Sequence, residues 1–147
     1  MTTHIKRIGI AIVEQDGHYL IGTRGPDVPL AGYAEFPGGK CGQGEAPEDC
    51  AVRECMEETG LSVVVERLLM RREHAYSYAT VDLHFYLSHP SPEVSLTGKP
   101  HGFRWVPAND LAALPFPEAN FDVVSLLSNT HDRLPTAVTP SPSCTLP

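Results

Sequence analysis

The stretch GGKCGQGEAPEDCAVRECMEETGL, Gly38 to Leu61, sets Glu54, Glu57 and Glu58 close together in the chain. On a helix, residues three and four apart are neighbours, so these three carboxylates share one arc. The like-charge pair Glu54 and Glu58 costs roughly 0.2–0.5 kcal/mol on an exposed face, and more where it is partly buried. Arg53 can pair with Glu57 but cannot neutralise all three. Two readings meet the pattern. One is a solvated acidic face; the other is a site for a divalent cation, whose preference for hard oxygen ligands suits Mg²⁺ or Mn²⁺.

Such a cluster needs a firm helix and a chain that delivers it. Ala46 to Thr59 reads as that helix. Pro47 suits its first turn, Glu48 and Asp49 complement the positive end of its dipole, and Gly60 sits where a C-terminal cap belongs. Ala51 and Cys55 give it a small apolar stripe, flanked by Val52 and Met56. Just before it, Gly38 and Gly39 permit close backbone approach or positive φ. Upstream, Ile8 to Val13 alternates large and small residues, as in a strand covered on both faces. Asp16-Gly17 then turns the chain into a returning strand, Tyr19 to Arg24, and Ala34 to Phe36 is a short extended piece.

Downstream, strands are expected around Leu61 to Met70, at Thr80 to Leu87 and at Phe103 to Val106. In the second, Val81, Leu83, Phe85 and Leu87 share one face, and Thr80, Asp82, His84 and Tyr86 share the other. Asn109 is placed to cap a brief helix from Asp110 to Leu114. Phe121 to Ser128 reads as an amphipathic helix turning Val123, Val124 and Leu127 inward. Strands interleaved with helices indicate a mixed, α+β domain.

Composition narrows the class. The chain has 147 residues, 41% of them hydrophobic, which is enough for one domain with a real core. Eleven basic residues against eighteen acidic ones give a net charge of −7, which argues against binding a nucleic-acid polymer. A single nucleotide stays open, because a cation can supply the positive charge locally. No apolar run is long enough to span a membrane, and the N-terminal segment lacks the pattern of a secretory signal. Cys41, Cys50, Cys55 and Cys144 show no zinc-type spacing, so reduced thiols and a cytoplasmic location are expected. The proline-rich end reads as a flexible tail, which puts the domain at residues 1–131 and the tail at 132–147.

Taken together, Gly39, Glu45, Arg53-Glu54, Glu57-Glu58, Gly60 and Leu61, at their spacings, resemble the Nudix box. This is the signature of the Nudix hydrolases, which cleave nucleoside diphosphates linked to another group. Every fixed position is filled; Cys55 stands where a larger aliphatic residue is common. The resemblance runs from about Ile8 to Leu127. It implies the Nudix fold, a mixed β-sheet in an α/β/α sandwich, with the box as loop, helix and loop. It also implies that Gly39, Glu54, Glu57 and Glu58 hold Mg²⁺ or Mn²⁺, and that Arg53 pairs with Glu45 to brace the loop. Glu57 or Glu58 would help to deprotonate the attacking water. Many members carry a further glutamate before the strand containing Trp105, but here SLTGKPHGFRW offers no carboxylate. His101 is the group there with a suitable ordinary pKa, so the base is placed on the box helix.

Within the family, the chain is most similar to the MutT-like enzymes that remove oxidised guanine triphosphates. EFPGGK, Glu35 to Lys40, matches their lead-in, where Phe36 would pack near the base. FPEAN, Phe116 to Asn120, matches a segment whose asparagine reads the purine edge. Asn120 also lies where the last helix needs its N-cap, and the two roles can coexist. Arg24 resembles a substrate-contacting arginine, and Gly38 gives a substrate close approach. Lys40 could reach a phosphate, and Tyr76 or Tyr78 could stack on a base. The likeness implies a pyrophosphohydrolase acting on 8-oxo-dGTP and releasing the monophosphate and pyrophosphate. Alternative substrates are CTP or dCTP, dinucleoside polyphosphates and ADP-ribose. The alternative of a different class is a nucleotide-binding module that does not cleave. Nothing in the chain indicates an oligomeric state.

Overall fold

The computed structural model describes residues 5–77, 79–92 and 102–133; Tyr78, His101, Cys144 and the expected tail beyond Arg133 lie outside the described residues. The strands are β1 (Ile5–Gln15), β2 (His18–Thr23), β3 (Ala34–Glu35), β4 (Gly38–Lys40), β5 (Val63–Ala75), β6 (Thr80–Pro90) and β7 (Phe103–Pro107). The α-helices are α1 (Pro47–Thr59) and α2 (Phe121–Arg133). The strands form one mixed sheet, with β1 parallel to β6 and antiparallel to β2 and β4.

β1 is the strand from which the site is built. Asp16 and Gly17, which follow it, both take positive φ, 53° and 78°, and make the tight turn into β2. Ile10, Ile12, Phe85, Val123, Val124 and Leu127 are buried together on the α2 face. Ala11, Val13, Ala51, Cys55 and Val63 are buried together on the α1 face. The helix lies directly on the strand at Gly9, where a Cβ would stand 2.5 Å from the Pro47 carbonyl oxygen and 2.8 Å from the Ala51 nitrogen. The two helices thus cover opposite faces of the sheet, as the expected sandwich requires.

α1 starts at Pro47 without a side-chain cap, and it ends at Gly60 (φ 77°), whose N–H donates to the Met56 carbonyl. β5 runs to Ala75, past the expected Met70. Bulges between Val65 and Arg67 and between Leu68 and Met70 break the alternation that sequence reading depends on. β5 is also an edge strand, and its exposed Arg71 and Glu73 suit an edge that must not recruit another strand. Both faces of β6 are covered, so Asp82 is buried too; Arg71 holds it through Nε and Nη2 at 2.9 and 3.1 Å.

The brief helix expected at Asp110 to Leu114 is instead a 3₁₀ segment, Ala108–Ala113, preceded by Pro107 and without a side-chain cap. Ala108 and Leu111 are the buried residues, three apart, and the 3₁₀ repeat places residues three apart on the same side. A second 3₁₀ turn, Glu118–Asn120, leads straight into α2, which begins at Phe121 as expected and runs on to Arg133.

Candidate active site

Arg53 is the hub of the carboxylate cluster. Its Nε and Nη2 donate to the two oxygens of Glu45 at 2.7 and 2.9 Å. Its Nη1 donates separately to Glu54 and Glu57, each at 3.1 Å. Nη2 also reaches the Lys40 carbonyl at 3.2 Å, which ties the helix to the end of β4. Glu45 further accepts the Gly42 N–H at 2.8 Å, so the loop is folded around this carboxylate. The Arg53 bonds and the Gly42 N–H pull its pKa down to about 2, and the same pairing raises that of Arg53.

Glu58 is in the opposite state. It is partly buried, its Oε1 accepts the Gly38 N–H at 3.2 Å, and Glu35 and Glu54 lie near it. Burial pushes its pKa up to about 7, and the two neighbouring carboxylates push the same way against the Gly38 N–H and Arg24. Glu35 is likewise raised by burial, although Arg24 opposes the shift. Neither Gly38 nor Gly39 has positive φ, so their value here is space. A Cβ on Gly38 would stand 2.7 Å from the Gly9 oxygen, and one on Gly39 would collide with the Glu54 carboxylate.

These residues border a cavity of about 320 Å³. Lys6, Ile8 and Ile10 line it from alternate positions of β1, and Val81 and Leu83 from β6. Phe36, Tyr76 and Asn120 complete the wall, and Gly38 and Gly39 bring the cavity to the carboxylate cluster. Phe36 stacks on Phe116 with ring centroids 5.0 Å apart, which fixes the ring it offers to the cavity. Tyr76 is held edge-on by His74, and its backbone N–H donates to Ala79. Arg24 also lines the cavity. Its guanidinium is engaged with the Pro29 carbonyl at 2.7 Å and with Glu35 at 3.2 Å, and so braces the loop at 25–33.

Most of the residues singled out from the sequence are therefore brought together. Glu45, Arg53, Glu54, Glu57 and Glu58 form one cluster, and Arg24, Phe36, Gly38, Gly39, Tyr76 and Asn120 line the adjoining cavity. Lys40 is not among the lining residues; it is exposed, and its carbonyl serves Arg53. Asn120 is the last residue of a 3₁₀ turn and stands immediately before the first residue of α2. Among the described residues, no three His, Cys, Asp or Glu side chains converge as a chelating set, and Glu54 and Glu57 both accept from Arg53 Nη1.

Two charged lining residues were not anticipated. Lys6 lies on the face of β1 that Ile8 and Ile10 define, so carrying the alternation back two residues would have found it. Glu35 stood inside the quoted EFPGGK, but its closeness to Glu58 depends on how α1 packs on the sheet. No helix among the described residues is long and apolar enough to cross a membrane.

The NUDIX domain family matches residues 9–126. The chain is 31% identical over 127 residues to the 8-oxo-dGTP diphosphatase of Escherichia coli (strain K12), covering 82% of this chain and 95% of that protein. It is 34% identical over 74 residues to the CTP pyrophosphohydrolase of the same organism, covering 50% and 55% of the two chains. Among solved structures, a MutT NUDIX hydrolase from Burkholderia pseudomallei superimposes with a TM-score of 0.69 at 25% identity, covering 83% of this chain and 97% of that one. The MutT protein of Methanosarcina mazei Go1 shares the fold with a TM-score of 0.73, over 89% and 98% of the two chains at 18% identity. With the box residues gathered around Arg53 and the family match spanning the sheet and both helices, the chain belongs to the Nudix hydrolase family.

Proposed function

We propose that this chain is a Mg²⁺- or Mn²⁺-dependent nucleoside triphosphate pyrophosphohydrolase. Its substrate is 8-oxo-dGTP, and its products are the monophosphate and pyrophosphate. The observation that carries the reading is the junction at Gly38 and Gly39, where a carboxylate-rich helix meets a cavity walled by Phe36 and Asn120.

The residues fit a hard divalent cation. Glu35, Glu54, Glu57 and Glu58 crowd around two guanidiniums, one of which is already committed to Glu45. Burial raises the proton affinity of Glu58, and the nearby Glu35 and Glu54 carboxylates add to it. Gly39, lacking a Cβ, leaves the space that the Glu54 carboxylate needs beside its backbone. Glu54, Glu57, Glu58 and the Gly39 carbonyl would hold the ion. Bound there, a divalent cation offsets phosphate charge and lowers the pKa of a coordinated water.

The chain's own residues do the rest. Arg53 uses different nitrogens for its two tasks, so Nη1 can release Glu54 and Glu57 while Nε and Nη2 stay on Glu45. The loop is thereby braced throughout. Glu57 or Glu58 accepts the proton of the attacking water at a carboxylate oxygen. In the cavity, the fixed Phe36 ring lies against the base. The Asn120 amide offers an acceptor and a donor to a 6-oxo group and its neighbouring N–H. Lys6, a donor without acceptor capacity, favours a base that presents carbonyl oxygens.

The test is a turnover panel with Mg²⁺: 8-oxo-dGTP, dGTP, CTP, diadenosine tetraphosphate and ADP-ribose. The highest kcat/KM is expected for 8-oxo-dGTP. A preference for either of the last two would remove the triphosphate reading. A CTP preference is the second reading, supported by the likeness to the CTP pyrophosphohydrolase.

A further inference from the structure

Two thiols stand beside the cluster without a part in the chemistry above. Cys41 directly follows β4 and is partly exposed, while Cys50 is buried in the first turn of α1. β4 and α1 run in opposite directions, since Gly38 meets Glu58 and Gly39 meets Glu54. Side chains two apart on an extended chain point the same way, so residue 41 faces the helix as residue 39 does. Two residues of extended chain advance about 6.6 Å. Four residues of helix advance about 6.0 Å, and four back from Glu54 is Cys50.

The contacts agree with this register. The Cys50 thiol donates to the Gly39 carbonyl at 3.3 Å, and Cys41 acts on it closely enough to add to the burial that pushes its pKa up. The Cys41 backbone is itself anchored, its N–H donating to the Arg7 carbonyl at 2.9 Å.

We propose that Cys41 and Cys50 are a modification site for hydroperoxides, a dithiol that closes to a cystine and staples β4 to the first turn of α1. The accessible Cys41 sulfur attacks the peroxide oxygen, becoming a sulfenic acid and releasing an alcohol, or water from hydrogen peroxide itself. Cys50 sulfur then attacks Cys41 sulfur; the S–S bond forms, and the hydroxyl leaves as water with the Cys50 proton. Two thiols are oxidised by two electrons, and one peroxide bond is reduced. The staple encloses residues 41–50, so Glu45 lies inside the ring and its clamp on Arg53 stays shut in the oxidised chain. Cys55, wholly buried against Thr59, takes no part.

The experiment is to treat the reduced full chain with a small excess of hydrogen peroxide, block the remaining thiols and map the peptides without reductant. The expected product is an intramolecular Cys41–Cys50 pair, lighter by two hydrogens and reversed by dithiothreitol. Its Tm should exceed that of the reduced chain, because the ring restricts the unfolded state. In Cys50→Ala, Cys41 should accumulate as a sulfenic acid that dimedone traps, and Cys50→Ser provides the same arm if the alanine variant does not fold. Cys144→Ser should leave the pair unchanged. A Cys41–Cys144 bridge, a disulfide-linked dimer, or sulfinic acid on Cys41 with Cys50 still free would each overturn the proposal.

Discussion

Gly39 and Glu54 touch backbone to carboxylate: a Cβ on residue 39 would stand 2.3 Å from the Glu54 carboxyl carbon and 2.4 Å from Oε1. The requirement is for volume rather than for an unusual backbone angle. Gly39→Ala should therefore fold and displace Glu54, with a stability loss of about 1–3 kcal/mol from overpacking. Mg²⁺ affinity and kcat should each fall at least roughly tenfold, as loss of a properly placed metal ligand implies. Calorimetric Mg²⁺ titration beside turnover checks this; unchanged affinity would show that Glu54 does not serve the ion.

The fork between Arg53 and Glu45 is a matter of shape as well as charge. A lysine keeps the charge but cannot meet both oxygens, so Arg53→Lys should lose the brace. We expect kcat to drop at least roughly tenfold, in line with misplacement of a catalytic constellation. Acid unfolding gives a separate readout. Glu45 has its pKa lowered to about 2, so its stabilisation is complete above the ordinary carboxylate range and is lost as the pH falls toward 2. Glu45→Gln should flatten that part of the pH–stability curve; an unaltered curve would mean the pair contributes nothing.

Glu58 has the opposite sign. Its folded pKa, about 7, lies above the unfolded one, so the proton it retains stabilises the fold below about pH 4.5, and this stabilisation is lost as the pH rises through 7. Mg²⁺ must displace that proton. Its affinity should thus rise by up to roughly tenfold per pH unit between about 5 and 7 and then level off. Titration in two buffers of different ionisation enthalpy should detect proton release near neutrality, and Glu58→Gln should abolish it. Equal heats in both buffers for the unaltered chain would contradict the assignment.

Glu57 is exposed and contributes little to packing. Glu57→Gln should leave the Tm within a few degrees while lowering kcat by roughly 10²–10⁴, the range for loss of an acid–base group. A variant that unfolded, or that kept full activity, would rule out the proposed role.

Selectivity should sit at the other end of the cavity. Asn120→Ala and Lys6→Met should raise KM for 8-oxo-dGTP by roughly tenfold each, the scale of one lost hydrogen bond to a polar edge, with kcat little changed. KM for a nucleotide without the matching carbonyls should move less. Parallel shifts for every nucleotide would assign these residues to general packing instead.

Much of this was legible in the residues because the signals were local. Pro47, Gly60 and the ExxEE spacing determine where α1 starts, where it ends and which arc is acidic. Asp16-Gly17 determines a turn. What escaped depends on contacts distant in sequence. The reach of β5 to Ala75 is set by pairing with β6 and is disguised by two bulges. The 3₁₀ segment at Ala108–Ala113 follows from which of its side chains find the core. The high proton affinity of Glu58 comes first from its burial where α1 packs on the sheet, with Glu35 of β3 adding to it.

The alternation of β1 has a practical reach of its own. Positions 6, 8 and 10 face the cavity, whereas Gly9 is the seat of α1. A lineage, or an engineer, can exchange the even-numbered side chains to suit a new ligand without unseating the helix that carries the acids. Binding preference and reactive machinery are inherited on the same ribbon yet are free to drift apart.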